Sequence, residues 1–453
     1  MTDNFTALND KLSGAAELVT DLTGYEDYCH DATEETGEPR AIVFAATEAD
    51  VVAALRFASE HSISVVPRGT GTGLSGGAVP SRSCLLLSLE RMRRMRVDPD
   101  RRTATVEPGV ITAELMDAAA EFGLTYPPDP ASYRECSLGG NVAENAGGLR
   151  CKRFGVTRDY VLGLRAVTVE GEILLTGSCN EREGFALGDL LIGSEGTLAI
   201  VTEMTLRLIP EPSPGITILI AFDRPEDAAS AVSAITRAGI IPTVMEYLDG
   251  DAAECSNRYE KMEGLDRVAA ILLIETSGEQ IESQMEQLRS ICEANRASYL
   301  RIATTGEQAE ELWKVRRNLS KAVRDAAKFR YNEDVAVPVS EFTTLIAYVS
   351  QLNRDYPVRI NAFGHAGDGN LHVSFLSSTG DNEELAIIHE AVEKLYRRTI
   401  ELGGTLTGEH GIGRHKGRFL NWEFDEPTLR AMRAIKDILD PERRLNPDKI
   451  WIN

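Results

Sequence analysis

The sequence predicts an α+β protein, and three features of its pattern support this class. Residues 41–106 alternate between strand-like and helix-like segments, as mixed helix and sheet domains do. The densest proline cluster, 210–214, separates two differently patterned parts of the chain. Residues 216–296 then follow the order strand, helix, strand, strand, helix. This order favours an antiparallel βαββαβ sheet with its helices on one side.

The first part of the chain combines short strands with two helices. Residues 47–50 have the residue types of a capping box, so a helix is expected over 51–59. A second helix is expected over 112–122, because Gly123 can end it in the left-handed conformation. Residues 127–157 are rich in proline and glycine and are expected to form loops. Strands are expected at 41–44, 63–66, 84–89, 103–106, 164–176 and 197–208.

The second part contains longer apolar strands and amphipathic helices. Strands are expected at 216–222, 241–248, 268–276, 358–363 and 371–377. Helices are expected at 225–238, 279–296, 308–328, 340–353, 383–402 and 428–438. The first elements of this series predict a ferredoxin-like antiparallel sheet.

The composition indicates a globular protein with a strongly acidic surface. The 453 residues include 48 basic and 70 acidic side chains, which gives a net charge of −22 and a pI near 4.9. A chain of this charge repels polyanions, so nucleic acid and anionic lipid surfaces are not expected as partners. Its longest apolar runs, 216–222 and 268–274, are much shorter than the ~20 residues of a membrane-spanning helix. Direct membrane insertion is therefore not expected.

Cysteine usage and the N-terminus predict a cytoplasmic location. The seven cysteines include no C-x-x-C pair, which fits a reducing compartment and argues against a closely spaced iron–sulfur site within the chain. Residues 1–5 lack the basic and apolar character of a signal peptide. Any membrane association is expected to come through a partner protein. The cysteines stand at positions 29, 84, 136, 151, 179, 255 and 292.

Three glycine-rich segments carry the first functional signal. Residues 67–77 follow a predicted strand, and their closely spaced glycines expose backbone N–H groups that can bind phosphate oxygens. This segment lacks the spacing of the G-x-G-x-x-G dinucleotide fingerprint and the G-K-[ST] of nucleoside triphosphate sites. Taken alone, it also fits a flexible surface loop. With the small-residue segments 137–148 and 193–200, however, it favours an extended cofactor in close contact with the backbone.

The histidines carry the second signal, since five of the seven lie at or beyond residue 365. His365 and His372 flank a Gly-Asp-Gly turn that can bring both imidazoles to one point. Glu409 and His410 follow on another glycine-flanked segment. Each histidine taken alone fits a hydrogen-bonded core position better, but two imidazoles and a carboxylate together are a common ligand set for a divalent metal. His389 is expected on the surface of a helix.

Five blocks in a fixed order carry a family resemblance: PRGTGTGLSGG (67–77), VEPG (106–109), PPDP (127–130), SLGGNVAENAGG (137–148) and GSEGTLAIVTE (193–203). Together they resemble the vanillyl-alcohol-oxidase-type FAD-binding domain. From about residue 38 to Asn453, the chain more closely resembles the FAD-linked 2-hydroxy-acid dehydrogenases: glycolate oxidase FAD subunits, D-lactate dehydrogenases and D-2-hydroxyglutarate dehydrogenases. The resemblance implies an FAD-binding domain over 1–210, a substrate domain with a metal site over 211–420, and a C-terminal segment, 421–453, that returns to the FAD domain.

The resemblance also implies noncovalent FAD. Residues 68–77 match the family's pyrophosphate-binding segment, and some relatives attach FAD through a histidine there, which this chain lacks. Residues 446–450 read N-P-D-K-I where the family usually has N-P-G-K-I, a change that is expected to keep the Asn446 contact. The residues implied in FAD binding are Pro67, Arg68, Gly69, Thr70, Gly71, Thr72, Gly73, Leu74, Ser75, Pro128, Asp129, Ser132, Ser137, Gly139, Gly140, Asn141, Ala143, Asn145, Gly148, Glu195, Gly196, Ile200 and Asn446.

For the reaction itself, the resemblance implies a metal, a base and a carboxylate clamp. Zinc or manganese would be bound by His365, His372 and Glu409, and His410 would be the catalytic base. Ser374 stands where the hydroxyglutarate enzymes carry asparagine, which disfavours a substrate with a second carboxylate. The implied substrate-binding residues are Arg316, which is also counted as catalytic, Ser320, expected on the same helix face as Arg316, and Arg330 as a second cation.

The expected reaction is oxidation of a D-2-hydroxy acid, with glycolate or D-lactate favoured, to the 2-oxo acid. A metal bound to the hydroxyl group would lower its pKa, a neutral histidine would accept the proton, and the α-carbon would transfer a hydride to the flavin. Electrons are then expected to pass to a partner: an iron–sulfur subunit, an electron-transferring flavoprotein or a cytochrome. The alternatives are a D-2-hydroxyglutarate dehydrogenase, a non-catalytic FAD electron-relay subunit and an FAD-dependent alkyl transferase.

Overall fold

The structure, a computed structural model, describes residues 5–451 except residues 34, 178–185, 263, 266 and 279. Cys179 and the first residue of the helix predicted at 279–296 lie outside the described residues. The strands are β1 (Glu17–Val19), β2 (Ala41–Phe44), β3 (Val65–Arg68), β4 (Leu85–Ser88), β5 (Met95–Asp98), β6 (Thr103–Val106), β7 (Leu124–Thr125), β8 (Val161–Val167), β9 (Ile173–Thr176), β10 (Ile200–Arg207), β11 (Ile209–Pro210), β12 (Ile216–Phe222), β13 (Val244–Asp249), β14 (Ala270–Thr276), β15 (Ala297–Ile302), β16 (Phe329–Ala336), β17 (Arg359–His365) and β18 (Asn370–Ser377).

The α-helices are α1 (Phe5–Asn9), α2 (Glu48–Glu60), α3 (Thr112–Ala120), α4 (Leu138–Glu144), α5 (Cys151–Phe154), α6 (Leu187–Leu191), α7 (Pro225–Arg237), α8 (Gly250–Tyr259), α9 (Ile281–Ala294), α10 (Gly306–Arg317), α11 (Leu319–Asp325), α12 (Phe342–Asp355), α13 (Asn382–Glu401), α14 (Leu420–Glu423) and α15 (Glu426–Leu439). Short 3₁₀ helices occupy Glu26–Cys29, Thr157–Asp159, Val339–Glu341 and Gly417–Phe419. Among the described residues, no helix combines the length and the apolar character needed to cross a membrane.

The chain forms two compact units, each with its own sheets and buried apolar residues. The first unit comprises Met1–Gly147, Gly155–Glu211 and Glu409–Asn453. The second unit comprises Gly148–Phe154 and Pro212–Gly408.

Two larger sheets organise the first unit. One has the strand order β1-β2-β4-β3, with β2, β4 and β3 parallel to one another, and its core includes Val43 and Leu85. The other has the order β5-β6-β10-β8-β9 and is antiparallel throughout, with Leu115 and Leu206 in its core. The mixed helix and sheet class predicted for this part of the chain is confirmed.

Helix α2 begins with the predicted capping box. Thr47 Oγ1 accepts the Asp50 N–H at 3.2 Å, and the Asp50 carboxylate accepts the Thr47 N–H at 2.8 Å. The same carboxylate accepts the Ser13 N–H at 2.7 Å. The two Thr47–Asp50 contacts satisfy N–H groups at the start of the helix, which have no partner within it, so they fix where α2 starts. The Ser13 contact attaches a distant segment of the chain to this helix start.

Helix α4 corrects the loop prediction for residues 127–157. Ser137 Oγ accepts the Gly140 N–H at 3.4 Å at the start of α4, and Asn145 ends the helix in the left-handed conformation with φ 53°. Helix α5 also lies within this range. Glycine lowers helix propensity, but the serine cap and the buried Leu138 and Val142 stabilise α4.

The second unit is built on a seven-stranded antiparallel sheet of order β15-β12-β14-β13-β17-β18-β16. The first four strands of this order are β15, β12, β14 and β13. Numbered 1 to 4 along the chain from β12, they have the order 4-1-3-2 of a ferredoxin-like sheet, as the sequence predicts. The expectation that helices cover one side is wrong. Leu219 and Ala221 pack in a cluster with α8, α10 and α11, whereas α7 and α9 also contact β12 and β14. Ile218 and Ile220, which alternate with them, are fully buried as well.

Several elements of the second unit escaped sequence reasoning. Helix α8 and strand β16 were not expected, and β15 was expected only as the last strand of the βαββαβ order, without bounds. The helix predicted over 308–328 is divided into α10 and α11 at Asn318. Strand β16 was hidden by its charged residues, because Glu333 and Asp334 are buried but look like surface residues in a sequence pattern.

Candidate active site

The first unit brings the first two glycine segments together. The segment 69–77 follows β3, and Gly71 and Gly76 within it have φ values of 75° and 78°, which favour glycine. A Cβ atom on Gly69 would lie 2.2 Å from Ser137 Oγ. The lack of a side chain at Gly69 therefore allows this loop and the start of α4 to approach each other closely.

The third glycine segment contacts the last stretch of the same unit, Glu409–Asn453, through Glu195. Its carboxylate accepts the N–H groups of Ile412 and Gly413, each at 2.7 Å. Asn446 Nδ2 donates to the carbonyl oxygens of Glu195 at 2.7 Å and of Gly77 at 3.1 Å. Two residues predicted to contact FAD, Glu195 and Asn446, therefore connect the first and third segments with the end of the chain.

A pair of carboxyl groups lies in this region. A Cβ atom on Gly411 would lie 2.5 Å from Glu144 Oε2 and 3.0 Å from Glu195 Oε1. Burial raises the pKa of Glu144, and repulsion from Glu195 raises it further. Burial also raises the pKa of Glu195, although the N–H groups of Ile412 and Gly413 oppose this rise. The pair therefore retains a proton at higher pH than isolated glutamates do.

Polar atoms in this region indicate whether its residues fit FAD. Among the described residues, Ser75 Oγ, Glu144 Oε2 and Asn446 Oδ1 are buried with no hydrogen-bond partner. A buried polar atom without a partner is unfavourable, so a ligand that offers hydrogen bonds would stabilise this arrangement. Gly73 has open space where a Cβ atom would stand. The loops present therefore fit a polar, extended cofactor such as FAD.

Arg68 packs against the first glycine loop. It donates to the carbonyl oxygens of His30 at 2.6 Å and Asp27 at 3.0 Å, and it lies over the Tyr28 ring. A Cβ atom on Gly71 would lie 2.1 Å from Arg68 Nη2. The guanidinium thus supports the loop conformation, and a direct contact with FAD stays a prediction. Three further predicted FAD residues lie in the loop that follows β7: Pro128, Asp129 and Ser132.

The predicted carboxylate-binding residues lie close together in the second unit. Arg330, on β16, donates from Nη1 to Ser320 Oγ at 3.1 Å and from Nε to Ser374 Oγ at 3.0 Å. The guanidinium groups of Arg316 and Arg330 lie 5.2 Å and 5.8 Å from the Phe363 ring centroid. Arg316 is on α10 and Ser320 on α11, so the expectation of one shared helix face is wrong. The hydrogen bond from Arg330, rather than helix periodicity, connects Ser320 to this group.

Arg330 is a half-buried cation with neutral acceptors. Its hydrogen bonds go to hydroxyl, backbone carbonyl and amide oxygens, and no carboxylate of the described residues forms an ion pair with it. Burial, together with the positive charges of Arg324 and Arg316, lowers the pKa of Arg330 to about 10. An anionic ligand would therefore stabilise this guanidinium.

One residue that sequence reasoning missed connects the predicted substrate and metal residues. Glu246, on β13, is fully buried. Its Oε2 accepts the Arg316 Nε hydrogen at 2.5 Å, and its Oε1 lies 2.5 Å from His365 Nδ1. Burial favours a higher pKa, but His365 and Arg316 outweigh burial and lower the pKa of Glu246 to about 2. A glutamate within an apolar strand was the one local signal of this role.

The predicted Gly-Asp-Gly turn is confirmed as the end of a hairpin. Strands β17 and β18 are antiparallel neighbours, and residues 366–369 join them. Gly369 has φ 76°, and a Cβ atom on it would lie 1.9 Å from the Val337 carbonyl oxygen. The ring centroids of His365 and His372 are 5.4 Å apart. The hairpin therefore places the two imidazoles side by side.

Glu409 joins the two histidines in a group of possible metal ligands. Asp334 lies opposite His372 in the β16–β18 pair and accepts the Gly408 N–H at 2.7 Å. Gly408 is the last residue of the second unit, and Glu409 follows it directly. One ligand atom from each of His365, His372 and Glu409 lies within 4.8 Å of the others. Two imidazole nitrogens and one carboxylate oxygen suit Zn²⁺ or Mn²⁺, so these residues fit a divalent metal.

The remaining histidines of interest have different surroundings. His410 lies in an irregular segment of the first unit that also contains the Glu195 contacts. His415 Nε2 lies 3.4 Å from a carboxylate oxygen of Glu35. His389 is exposed on α13 and contacts the Tyr331 ring, as the sequence predicts for a surface position.

Comparison with known proteins identifies the family. A model described as "FAD linked oxidases, C-terminal domain" matches residues 211–450, and one described as "FAD binding domain" matches residues 39–177. The glycolate oxidase subunit GlcD of Bacillus subtilis (strain 168) is 37% identical over 97% of this chain and 95% of its own length. A D-lactate dehydrogenase of Anaerostipes hadrus is 33% identical over 94% of this chain and 92% of its own length. A p-cresol methylhydroxylase structure has a TM-score of 0.79 at 16% identity, covering 99% of this chain and 96% of its own, and thus shares the fold.

These findings define a flavoprotein oxidoreductase with a vanillyl-alcohol-oxidase-type fold. The chain belongs to the FAD-linked oxidase family, as its sequence blocks indicate, and within it to the FAD-dependent hydroxy-acid oxidoreductases.

Proposed function

We propose that this protein oxidises a small D-2-hydroxy acid, with glycolate or D-lactate favoured, to the corresponding 2-oxo acid. The observation that carries the proposal is the half-buried Arg330 guanidinium near Arg316, since the described residues offer Arg330 no carboxylate. A substrate carboxylate has the charge and the planar geometry that guanidinium groups bind. The names of the relatives support a hydroxy acid as the source of that carboxylate.

In this proposal the chain binds, orients and deprotonates the substrate. Arg316 and Arg330 bind the carboxylate and so fix the position of the α-carbon. His410 accepts the hydroxyl proton on a ring nitrogen, a contribution of typically ~10²–10⁴-fold. FAD, when bound, supplies the acceptor for the hydride of the α-carbon. The backbone N–H groups of the first glycine loop bind its pyrophosphate. The lack of a histidine in residues 68–77 supports noncovalent attachment.

We further propose that His365, His372 and Glu409 bind Zn²⁺ or Mn²⁺. Such an ion supplies Lewis acidity toward a substrate hydroxyl group. The proposal is supported by the closeness of the three ligand atoms, all within 4.8 Å. Treatment with a chelator is expected to slow substrate-dependent flavin reduction, and added Zn²⁺ or Mn²⁺ is expected to restore it, while flavin absorbance reports that FAD stays bound throughout. Unchanged reduction after complete metal removal would contradict the metal site.

D-2-Hydroxyglutarate is the second candidate substrate, because Arg316 and Arg330 offer two cations and this substrate has two carboxylates. Ser374 Oγ accepts a hydrogen bond from Arg330. It stands where the hydroxyglutarate enzymes carry asparagine, and this difference favours the smaller acids. The electrons are proposed to pass to a partner, either an iron–sulfur subunit, an electron-transferring flavoprotein or a cytochrome.

The test is anaerobic reduction of the bound flavin. A panel of D- and L-2-hydroxy acids is added to the purified flavoprotein with Zn²⁺ or Mn²⁺, and loss of flavin absorbance is followed. Glycolate or D-lactate is expected to bleach the flavin faster than L-lactate does. Absence of bleaching with every acid would reject the proposed function, and faster bleaching by D-2-hydroxyglutarate would favour the second candidate.

A further inference from the structure

We propose that Glu246 is a positioning residue that links the metal-binding histidine His365 to the carboxylate-binding arginine Arg316. This inference rests on the proposed function, since it assigns a role toward those two groups. It concerns a residue of the second unit that neither the glycine loops nor the histidine motifs include.

The surroundings of Glu246 explain why a carboxylate can stand at this place. It is fully buried between Met245 and Tyr247 on β13, which are also buried. Burial of an isolated carboxylate is strongly unfavourable. Each of its oxygens therefore has a partner, with Oε2 on Arg316 and Oε1 on His365. The buried position is stable because of these two contacts.

The sheet register fixes the contact with His365. Glu246 and His365 are direct partners in the antiparallel β13–β17 pair, and directly opposed residues place their side chains on the same face. The Glu246 carboxylate lies at His365 Nδ1. Because a carboxylate accepts hydrogen bonds, the neutral form of His365 carries its hydrogen on Nδ1 in this contact and its lone pair on Nε2. Carboxylate contacts of this kind orient metal-binding histidines in other proteins and make the other nitrogen a better ligand.

The contact between Glu246 and Arg316 likewise orients the Arg316 guanidinium. Arg316 ends α10, and its Nε donates to Glu246 at 2.5 Å. The terminal nitrogens of Arg316 donate no hydrogen bond to the described residues, so they remain available for an anion. One carboxylate thus orients both a metal ligand and an anion-binding group, and its loss is expected to weaken metal binding and carboxylate binding together.

The experiment compares Glu246→Gln with the control Glu275→Gln in the FAD-loaded enzyme. Glu275 lies on β14 of the same sheet and accepts the Trp313 Nε1 hydrogen at 3.3 Å from the same helix, α10, but it contacts neither His365 nor Arg316. Zn²⁺ affinity is measured by competition with a chromophoric chelator. Glu246→Gln is expected to weaken Zn²⁺ binding by about 10–100-fold, and Glu275→Gln is expected to leave it within about twofold of the unsubstituted protein.

A kinetic readout separates positioning from a general loss of structure. At saturating Zn²⁺ the metal site of Glu246→Gln is filled despite its weaker affinity. The KM of this variant for D-lactate or glycolate is nevertheless expected to stay raised, because Arg316 has lost the carboxylate that orients it. Glu246→Asp keeps a carboxylate and serves as the second variant, with Zn²⁺ affinity expected between that of Glu246→Gln and the unsubstituted protein. The inference is overturned if both Glu246 variants bind Zn²⁺ as Glu275→Gln does, or if all three variants weaken it equally. If instead the unsubstituted protein binds no Zn²⁺ and no hydroxy acid reduces its flavin, the proposed function fails independently of Glu246.

Discussion

At the scale of single residues, Asp249 connects pH with stability. Its carboxylate accepts the N–H groups of Ala252 at 2.8 Å and Ala362 at 2.6 Å, and burial raises its pKa from 3.8 to about 7 despite these bonds. Between these values the folded protein keeps a proton that the unfolded chain loses, so the contribution of Asp249 to stability falls as pH rises and levels off above about pH 7.

The prediction is that the unsubstituted protein loses stability relative to Asp249→Asn between pH 5 and pH 8. The expected relative loss is of the order of 2–3 kcal/mol, because each pKa unit corresponds to about 1.4 kcal/mol. Thermal unfolding of both proteins at several pH values measures it. Asp355→Asn, an exposed position at the end of α12, is the control, and a pH-independent difference for Asp249→Asn would refute the raised pKa.

His410 provides the second prediction at this scale. His410→Ala is expected to keep bound FAD and to slow flavin reduction by the hydroxy acid about 10²–10⁴-fold, because the base is lost while the FAD-binding loops are unchanged. Stopped-flow flavin absorbance measures the rate. The exposed His389 offers the matched control, and His389→Ala is expected to reduce its flavin at the unsubstituted rate. Equal rates in all three proteins would remove His410 from the base role.

The candidate site was predictable from sequence where its residues share a local motif. His365 and His372 flank one turn, and the hairpin that brings them together is confirmed. Glu246 was missed because it lies 119 positions from His365 and 70 from Arg316. Strand pairing and helix packing create these contacts, and no local pattern encodes them.

At the scale of elements, the β17–β18 hairpin depends on a glycine. Gly369→Ala is expected to destabilise the second unit by about 2 kcal/mol or more, because φ is 76° there and the added Cβ atom would lie 1.9 Å from the Val337 carbonyl oxygen. Zn²⁺ affinity is expected to fall with it, since the turn positions both histidines. Thermal unfolding and chelator competition measure the two effects.

Gly380 offers a control for this substitution. It has a similar φ of 72°, but the nearest atom to an added Cβ would lie 4.0 Å away. Gly380→Ala is therefore expected to lower stability by only about 1 kcal/mol, the strain of a left-handed backbone conformation at alanine. It is expected to keep Zn²⁺ affinity unchanged. Equal destabilisation by both substitutions would show that the close approach to Val337 contributes nothing.

Elements with strong apolar patterns matched the sequence predictions most closely. Strand β12 occupies the predicted residues 216–222, and β2 occupies the predicted residues 41–44. Prediction failed at α4, where capping by Ser137 outweighs the low helix propensity of glycine, and at β16, where buried Glu333 and Asp334 interrupt the apolar pattern. At β16 the pairing with β18 decided the outcome, whereas at α4 a local serine cap did.

At the scale of the whole molecule, FAD binding is expected to stabilise the unit that contains the glycine loops. Free FAD at about 100 times its Kd stabilises a binding unit by ~2.7 kcal/mol, so added FAD is expected to raise the unfolding temperature of the flavin-free protein in calorimetry. Because residues 68–77 contain no histidine, acid or heat is expected to release all flavin into the supernatant. Flavin that stays with the precipitated protein would contradict noncovalent attachment.

The sequence by itself determined the α+β class, the FAD-binding blocks and the histidine hairpin, because glycine spacing, apolar periodicity and turn residues act over short stretches of chain. Only the tertiary structure decided that helices cover both faces of the second sheet, that Arg316 and Ser320 stand on different helices, and that Glu246 joins Arg316 to His365. The net charge of −22 describes the chain as a whole, but the region around Arg316 and Arg330 is locally cationic. Such local charge depends on which distant side chains packing brings together, and a buried carboxylate or guanidinium is stable only where its partners meet it.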